Sequence, residues 1–211
     1  SSTSDIMGIY NFGSDAWTVS NNNIGGITAS NSSTGACNIY CIRVNTGSSV
    51  TFVCQNNTIG GTIANSIQST TTSTSSLVVG IHNANPIGTI TGNIIRNLST
   101  AGGTGTTSSA SLCGITITSS AAQTITSNTI NTFSGTGAST AIGIVVTSTG
   151  SNSISKNKIY DLQVNNAGGF VYGIQLSSSG TTVTLANNII GDLRAPASTV
   201  TSPASAIIGI N

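Results

Sequence analysis

Charge is almost missing from this chain. Of its 211 residues only 4% are charged, no Glu occurs, and five Lys and Arg against four Asp leave a net charge of +1. Nucleic acid demands a basic footprint, so it is excluded as a partner. Aromatic residues, also 4%, are too few for a base-stacking platform. Long apolar runs are lacking as well. Ser, Thr and Asn interrupt each one, and even Leu77-Val78-Val79-Gly80-Ile81 falls far short of the roughly 20 residues that a membrane-crossing helix needs. Membrane insertion is therefore not expected. A single histidine, His82, and four cysteines without CxxC spacing argue against a zinc site, and nothing in the sequence calls for a cofactor.

What the chain has is a repeat. A Gly-Ile step recurs at Gly8-Ile9, Gly80-Ile81, Gly114-Ile115, Gly143-Ile144, Gly173-Ile174 and Gly209-Ile210, with Cys41-Ile42 in the one vacant slot. Each step but the last is followed by apolar-x-x-Asn-x-Ile, which places Asn22, Asn57, Asn93, Asn128, Asn157 and Asn188 at equivalent positions. From the Gly slot to its Asn the separation is 14, 16, 13, 14, 14 and 15 residues, whereas from Asn to the next slot it ranges from 15 to 23. One part of each unit is nearly constant and the other varies. Units of this size cannot bury an apolar face alone, so neighbours in sequence must stack in space.

Thr, Val, Ile, Ser, Asn and Gly dominate the units, which favours strands and turns over helix. Gly114-Ile115-Thr116-Ile117-Thr118 alternates with period two, as a half-buried strand does. The period slips to three between Ile125 and Asn128 and again between Ile130 and Phe133, and these slips read as corners. The expected fold is all-β: a right-handed parallel β-helix, or β-solenoid, of about six coils with three short strands per coil. At about 4.8 Å per coil it spans roughly 29 Å. It forms a single domain over residues 1–211, with no interior linker, and suits a segment of a longer solenoid. Asn tolerates the left-handed backbone conformation and its amide can bond an identical amide one coil away, so the six asparagines are expected to form a structural ladder at the first corner.

Both ends of the chain fall in the same phase of the repeat, Asp5-Ile6-Met7-Gly8-Ile9 and Ala206-Ile207-Ile208-Gly209-Ile210-Asn211, without a capping pattern. An uncovered terminal coil leaves backbone groups and apolar side chains exposed, which implies self-association end to end or further coils of the same polypeptide. The chain opens on Ser1 without a signal peptide, so processing or excision from a larger polypeptide is expected. The variable stretches, such as residues 69–76 and 101–111, are expected to project on one side as sites of lateral contact or glycosylation. Sequons stand at Asn31-Ser32-Ser33, Asn56-Asn57-Thr58 and Asn97-Leu98-Ser99.

Three sets of side chains invite a chemical reading. Asp161 and Asp192 share a column, within about 5 Å of each other across adjacent coils, the pairing of carboxylates that acts on a glycosidic bond. Asn97 and Thr132 hold the same slot in other coils, and a hydrogen-bonding corner residue explains the series without chemistry. Cys113 falls in the column of Met7, Tyr40, Val79, Ile142, Tyr172 and Ile208 and reads as a buried apolar thiol, while Cys37 with Cys41 or Cys54 is a candidate disulfide bracing the early coils. His82 reads as a surface or corner histidine. Finally, the strand before each corner presents Thr89 and Thr91, Thr124 and Thr126, and Ser153 and Ser155 on either side of an apolar residue. Two outward ranks of hydroxyls follow, interrupted at Val53, Gln55 and Ala186. They resemble the ice-binding surface of certain antifreeze solenoids.

As a whole, with Ile154-Ser155-Lys156-Asn157-Lys158-Ile159-Tyr160-Asp161-Leu162 and Val171-Tyr172-Gly173-Ile174-Gln175-Leu176 carrying the likeness, the chain resembles the Ser/Thr/Asn-rich parallel β-helix repeats of large secreted and surface proteins of Bacteroidetes-type bacteria. The resemblance is one of repeat style. It implies a secreted or cell-surface structural protein, a filament or adhesin stalk that associates with itself end to end and laterally and has glycans as a further candidate partner. Ice binding and polysaccharide binding or cleavage are the alternative functions.

Overall fold

Three parallel sheets run side by side along a computed structural model that describes residues 3–30, 35–47, 49–137, 140–177, 182–200 and 206–211. The first face stacks Ser4–Asn11, Cys37–Val44, Val78–Asn83, Leu112–Ile117, Thr140–Val146, Phe170–Leu176 and Ile207–Ile210. The second face stacks Trp17–Ser20, Thr51–Gln55, Ile87–Thr91, Gln123–Thr126, Asn152–Ser155 and Val183–Ala186. The third begins just after the corner, at Asn23–Ile24, Thr58–Ile59, Ile94–Thr100, Thr129–Gly135, Lys158–Val164 and Ile189–Ile190, and its far end is completed by Ile27–Ala29, Ile67–Ser69 and Leu193–Arg194. This is a parallel β-solenoid of about six turns. Among the described residues the one helical element is a 3₁₀ turn at Thr107–Ser109.

Register is set by inward columns. Ile42, Ile81, Ile115, Ile144 and Ile174 follow one another on the first face, Cys54, Ile90, Ile125 and Ile154 on the second, and Ile59, Ile95, Ile130 and Ile159 on the third. All of these side chains are fully buried. A slip of one residue would turn every one of them outward, which is why the register is strongly specified.

The Gly-Ile step has a packing cause. A Cβ added at Gly80, Gly114, Gly143 or Gly173 would lie 2.5 to 2.8 Å from the Cγ2 of Ile95, Ile130, Ile159 or Ile190, and 2.5 to 2.6 Å from the carbonyl oxygen of the residue stacked on it. Each glycine therefore receives the isoleucine of the Asn-x-Ile motif from across its own coil. The two repeated signatures are the two halves of one contact.

At the corners the structure corrects the expectation for asparagine. The left-handed backbone belongs to the residue before each ladder position, Asn21, Asn56, Gly92, Ser127, Lys156 and Asn187, with φ between 54° and 66°. The ladder asparagine itself has left the turn. Its side chain points inward, where its amide is needed, while the exposed residue before it makes the bend. A second left-handed position follows within the third face at Asn97, Thr132, Asp161 and Asp192.

A second correction concerns the variable stretches. Residues 69–76 and 101–111 do not project freely: Gly103 and Thr104 donate backbone N–H groups to the carbonyls of Ser73 and Thr74, 2.8 Å each, so one stretch lies on the other. Ala110 and Ser111 are buried against the outer wall of the first face.

Candidate functional site

The six asparagines stand in one bonded column. Asn22 donates both its backbone N–H and its Nδ2 to Oδ1 of Asn57, at 3.0 and 2.9 Å, and the same pair of bonds links Asn57 to Asn93, Asn93 to Asn128, Asn128 to Asn157 and Asn157 to Asn188. The second Nδ2 hydrogen returns to the preceding coil: Asn57 to the carbonyl of Val19, Asn93 to Cys54, Asn128 to Ile90, Asn157 to Ile125 and Asn188 to Ile154. Each interior amide is thus fully used within the wall. A buried amide satisfied on every side fixes the corner and leaves nothing for a ligand.

The second face carries the hydroxyl ranks. Thr18, Val53, Thr89, Thr124, Ser153 and Thr184 are in register, as are Ser20, Gln55, Thr91, Thr126, Ser155 and Ala186. Both ranks flank the fully buried Ile90, Ile125 and Ile154 and stand half-buried or exposed on the outside of a regular sheet. Spacing is about 4.8 Å between coils and about 6.6 Å along each strand. Thr126 and Ser155 share a hydrogen bond at 3.1 Å, so those two hydroxyls are partly occupied with each other.

Asp161 and Asp192 are joined by a residue that the column argument did not include. Arg194 pairs with the Asp161 carboxylate and, at 3.2 Å, with Asp192. Both acids occupy left-handed corner positions on the surface. A guanidinium paired with both carboxylates occupies the space between them that a glycosidic oxygen would need.

The outer wall of the first face is chemically the richest. Arg43 lies over the Tyr40 ring, 4.5 Å from its centroid, and His82 stacks against the same ring at 5.5 Å. Arg43 also reaches Asp5 at 3.5 Å, and Asn38 donates to Asp5 at 2.9 Å. Burial first, and the Arg43 guanidinium second, push His82 down from 6.5 to about 4, so the imidazole is neutral. Burial raises the Tyr40 phenol, with Arg43 opposing it. Farther along the wall Val79, Cys113, Ile142 and Val145 form a small apolar cluster under Ala110.

All four cysteines are free thiols and all are buried, so the candidate disulfides of Cys37 with Cys41 or Cys54 are not formed. Burial pushes Cys41, Cys54 and Cys113 up to about 12. Thiols held protonated in this way are poor nucleophiles. Of the sequons, Asn31 lies outside the described residues, Asn56 is exposed, and Asn97 is nearly buried with its amide bonded to the carbonyl of Gly61.

Sequence reasoning missed a polar inclusion in the core. Asn83 donates to Oε1 of Gln123 at 2.7 Å, both residues being buried inside the solenoid, and Gln123 donates to the carbonyls of Pro86 and Ala121. The Gln123 amide lies over Gly88, where a Cβ would meet it at 2.1 Å. The signal available was the glutamine itself, standing where Phe52 and Val183 occupy the same column in other coils.

Two shallow clefts, of about 150 and 590 Å³, lie beside the third face; Gln68, Thr70 and Ser134 line the first, Asn23, Thr62 and Asn65 the second, and neither contains a titratable side chain. Among the described residues no three His, Cys, Asp or Glu side chains gather to hold a metal, and no helix is long and apolar enough to cross a membrane. Comparison with protein-family models, curated proteins and solved structures finds no match.

Proposed function

We propose that this chain is a structural segment of an extracellular filament or surface stalk, in which coils of the same kind continue the stack at either tip. The observation that carries this reading is that parallel strands and inward apolar columns stack coil upon coil, from Ser4–Asn11 to Ile207–Ile210 on the first face. Ile6, Ile9, Trp17 and Ile24 at one tip, and Leu185, Ile190 and Leu193 at the other, are only partly buried, although the same columns are sealed inside. Ile207 and Ile210 are 45% and 49% exposed. Strand edges with apolar faces are strong templates for further pairing, and the described tips carry no helix over them.

Endurance is the mechanical role that such a wall serves. Backbone hydrogen bonds and the amide column tie each coil to the next along the axis, so extension loads many bonds in parallel. The scarcity of charge removes salt-dependent repulsion between neighbouring rods. Electron microscopy of the purified chain at rising concentration, with light scattering alongside, tests the reading. Rods whose length grows in steps are expected; a protein that stays monodisperse at all concentrations, in a parent polypeptide adding no further coils, would sink it.

The regular outward ranks favour a second reading, binding to ice. Hydroxyls and methyls repeated on a flat sheet can order water in a lattice, and thermal hysteresis measures it directly. Thr126→Tyr, at the centre of the array, should abolish any hysteresis; hysteresis that survives the substitution would remove the ranks from the explanation.

A further inference from the structure

We propose that the corner of the first face at coils one and two is a binding patch for neutral polysaccharide. In a chain this poor in aromatic residues, two of the largest exposed rings stand together: Tyr10 is 43% exposed, Phe12 is 70% exposed, and their centroids lie 6.3 Å apart with planes tilted by 35°. Left to solvent, such a pair is an unfavourable surface. The faces of the rings carry negative charge density and accept the weakly positive C–H groups of a sugar ring, while water is displaced from both.

Polar groups suited to sugar hydroxyls adjoin the rings. Tyr10 is in register with Arg43, and Asp5 with Asn38, so the network of Asn38, Asp5 and Arg43 lies on the same pair of strands as Tyr10. It offers a carboxylate acceptor, amide and guanidinium donors, and Arg43 is held in place over the Tyr40 ring. Prepositioned donors and acceptors beside an apolar platform recognise a molecule with both kinds of surface, and a pyranose has both.

Charge decides which polysaccharide. The Asp5 carboxylate and Arg43 guanidinium cancel, and the chain as a whole carries only +1, so nothing attracts uronate or sulfate groups. The patch sits on the side wall of the first coil, at the end of the Ser4–Asn11 strand. Its function is separate from assembly: a rod without glycan affinity and a glycan binder that never elongates are distinguishable results.

Affinity electrophoresis of the whole chain through gels containing galactomannan, xylan, hydroxyethylcellulose or polygalacturonate tests the proposal. At least one neutral polymer should retard the protein, and the Tyr10→Ala, Phe12→Ala double variant should lose that retardation by tenfold or more at an unchanged melting temperature. Tyr160→Ala, which removes an equally exposed ring from the third face, should leave it intact. Failure of every neutral polymer to retard the protein, equal retardation of the double variant, or preference for polygalacturonate would each overturn it. If the double variant does not fold, Phe12→Ser alone, outside any strand, reads the same loss.

Discussion

Asn128 shows how much one side chain carries in this fold. Its Oδ1 accepts from both N–H groups of Asn93, and its amide closes on the carbonyl of Ile90 and on Asn157. Removal orphans two buried donors and a carbonyl, all on the preceding coil. Asn128→Ala is expected to cost about 2–3 kcal/mol in denaturant unfolding, and Asn22→Ala, whose side chain donates to Asn57 but accepts from no ladder neighbour, under about 1 kcal/mol. Equal losses at the two positions would mean that the column is not cooperative. His82 gives the residue-scale pH dependence. Its folded value near 4 lies below the ordinary 6.5, so the unfolded chain binds the proton more readily. Stability is therefore full above pH 6.5 and falls as pH drops from 6.5 towards 4. His82→Phe, which keeps the stack on Tyr40, should flatten that fall in a pH series of melting temperatures.

Among elements, the contact between a glycine and the isoleucine facing it sets the thickness of each coil. Gly143→Ala would place a methyl 2.5 Å from Ile159 and 2.6 Å from the Gly173 carbonyl, and a loss of about 1–3 kcal/mol is expected from chemical unfolding. The strap over the first face allows another test. Ala110→Asp puts a charge against Val79, Cys113 and Ile142, so the strap should lift and Cys113 should become alkylatable, as mass spectrometry would show. Cys41 and Cys54, inside the solenoid, should stay protected. The three-faced coil was legible in the sequence because Gly8 to Gly209 and the isoleucines repeat, and repetition converts a weak local preference into a register. Features occurring once were not legible. Nothing in the run from Ala101 to Ser111 announces that Ala110 packs on Cys113, and Asn83 meets Gln123 only because two loops of particular length stack. The displacement of the left-handed turn by one residue was hidden because Asn21, Asn56 and Asn187 precede ladder asparagines. The bridge from Arg194 to Asp161 spans 33 positions and depends on coil length alone.

For the whole molecule, the balance of forces is unusual. Among the described residues three ion pairs, all at the surface, join Arg43 to Asp5 and Arg194 to Asp161 and Asp192, and exposed pairs contribute only about 0–1 kcal/mol each. Stability rests on the apolar columns and on hydrogen bonds along the axis. Raising salt from about 0.05 to about 0.5 M should hardly move the urea midpoint, because screening acts on little. A midpoint that falls steeply with sodium chloride would show that the ion pairs matter more than the columns do.

The amide column also gives the molecule a compass. Sheet dipoles largely cancel, but every side-chain amide from Asn22 to Asn157 gives one Nδ2 hydrogen to the next coil, and from Asn57 onward its oxygen accepts from the preceding one, so these small dipoles add. One pole shows an Asn22 oxygen that accepts from no ladder amide, and the other shows the Asn188 Nδ2 hydrogen left over from its bond to Ile154. Two like poles brought together repel, and unlike poles bond. Any fibre spun from such units would be a one-way thread with distinguishable ends, and a cell that anchored one end would always present the same other end outward.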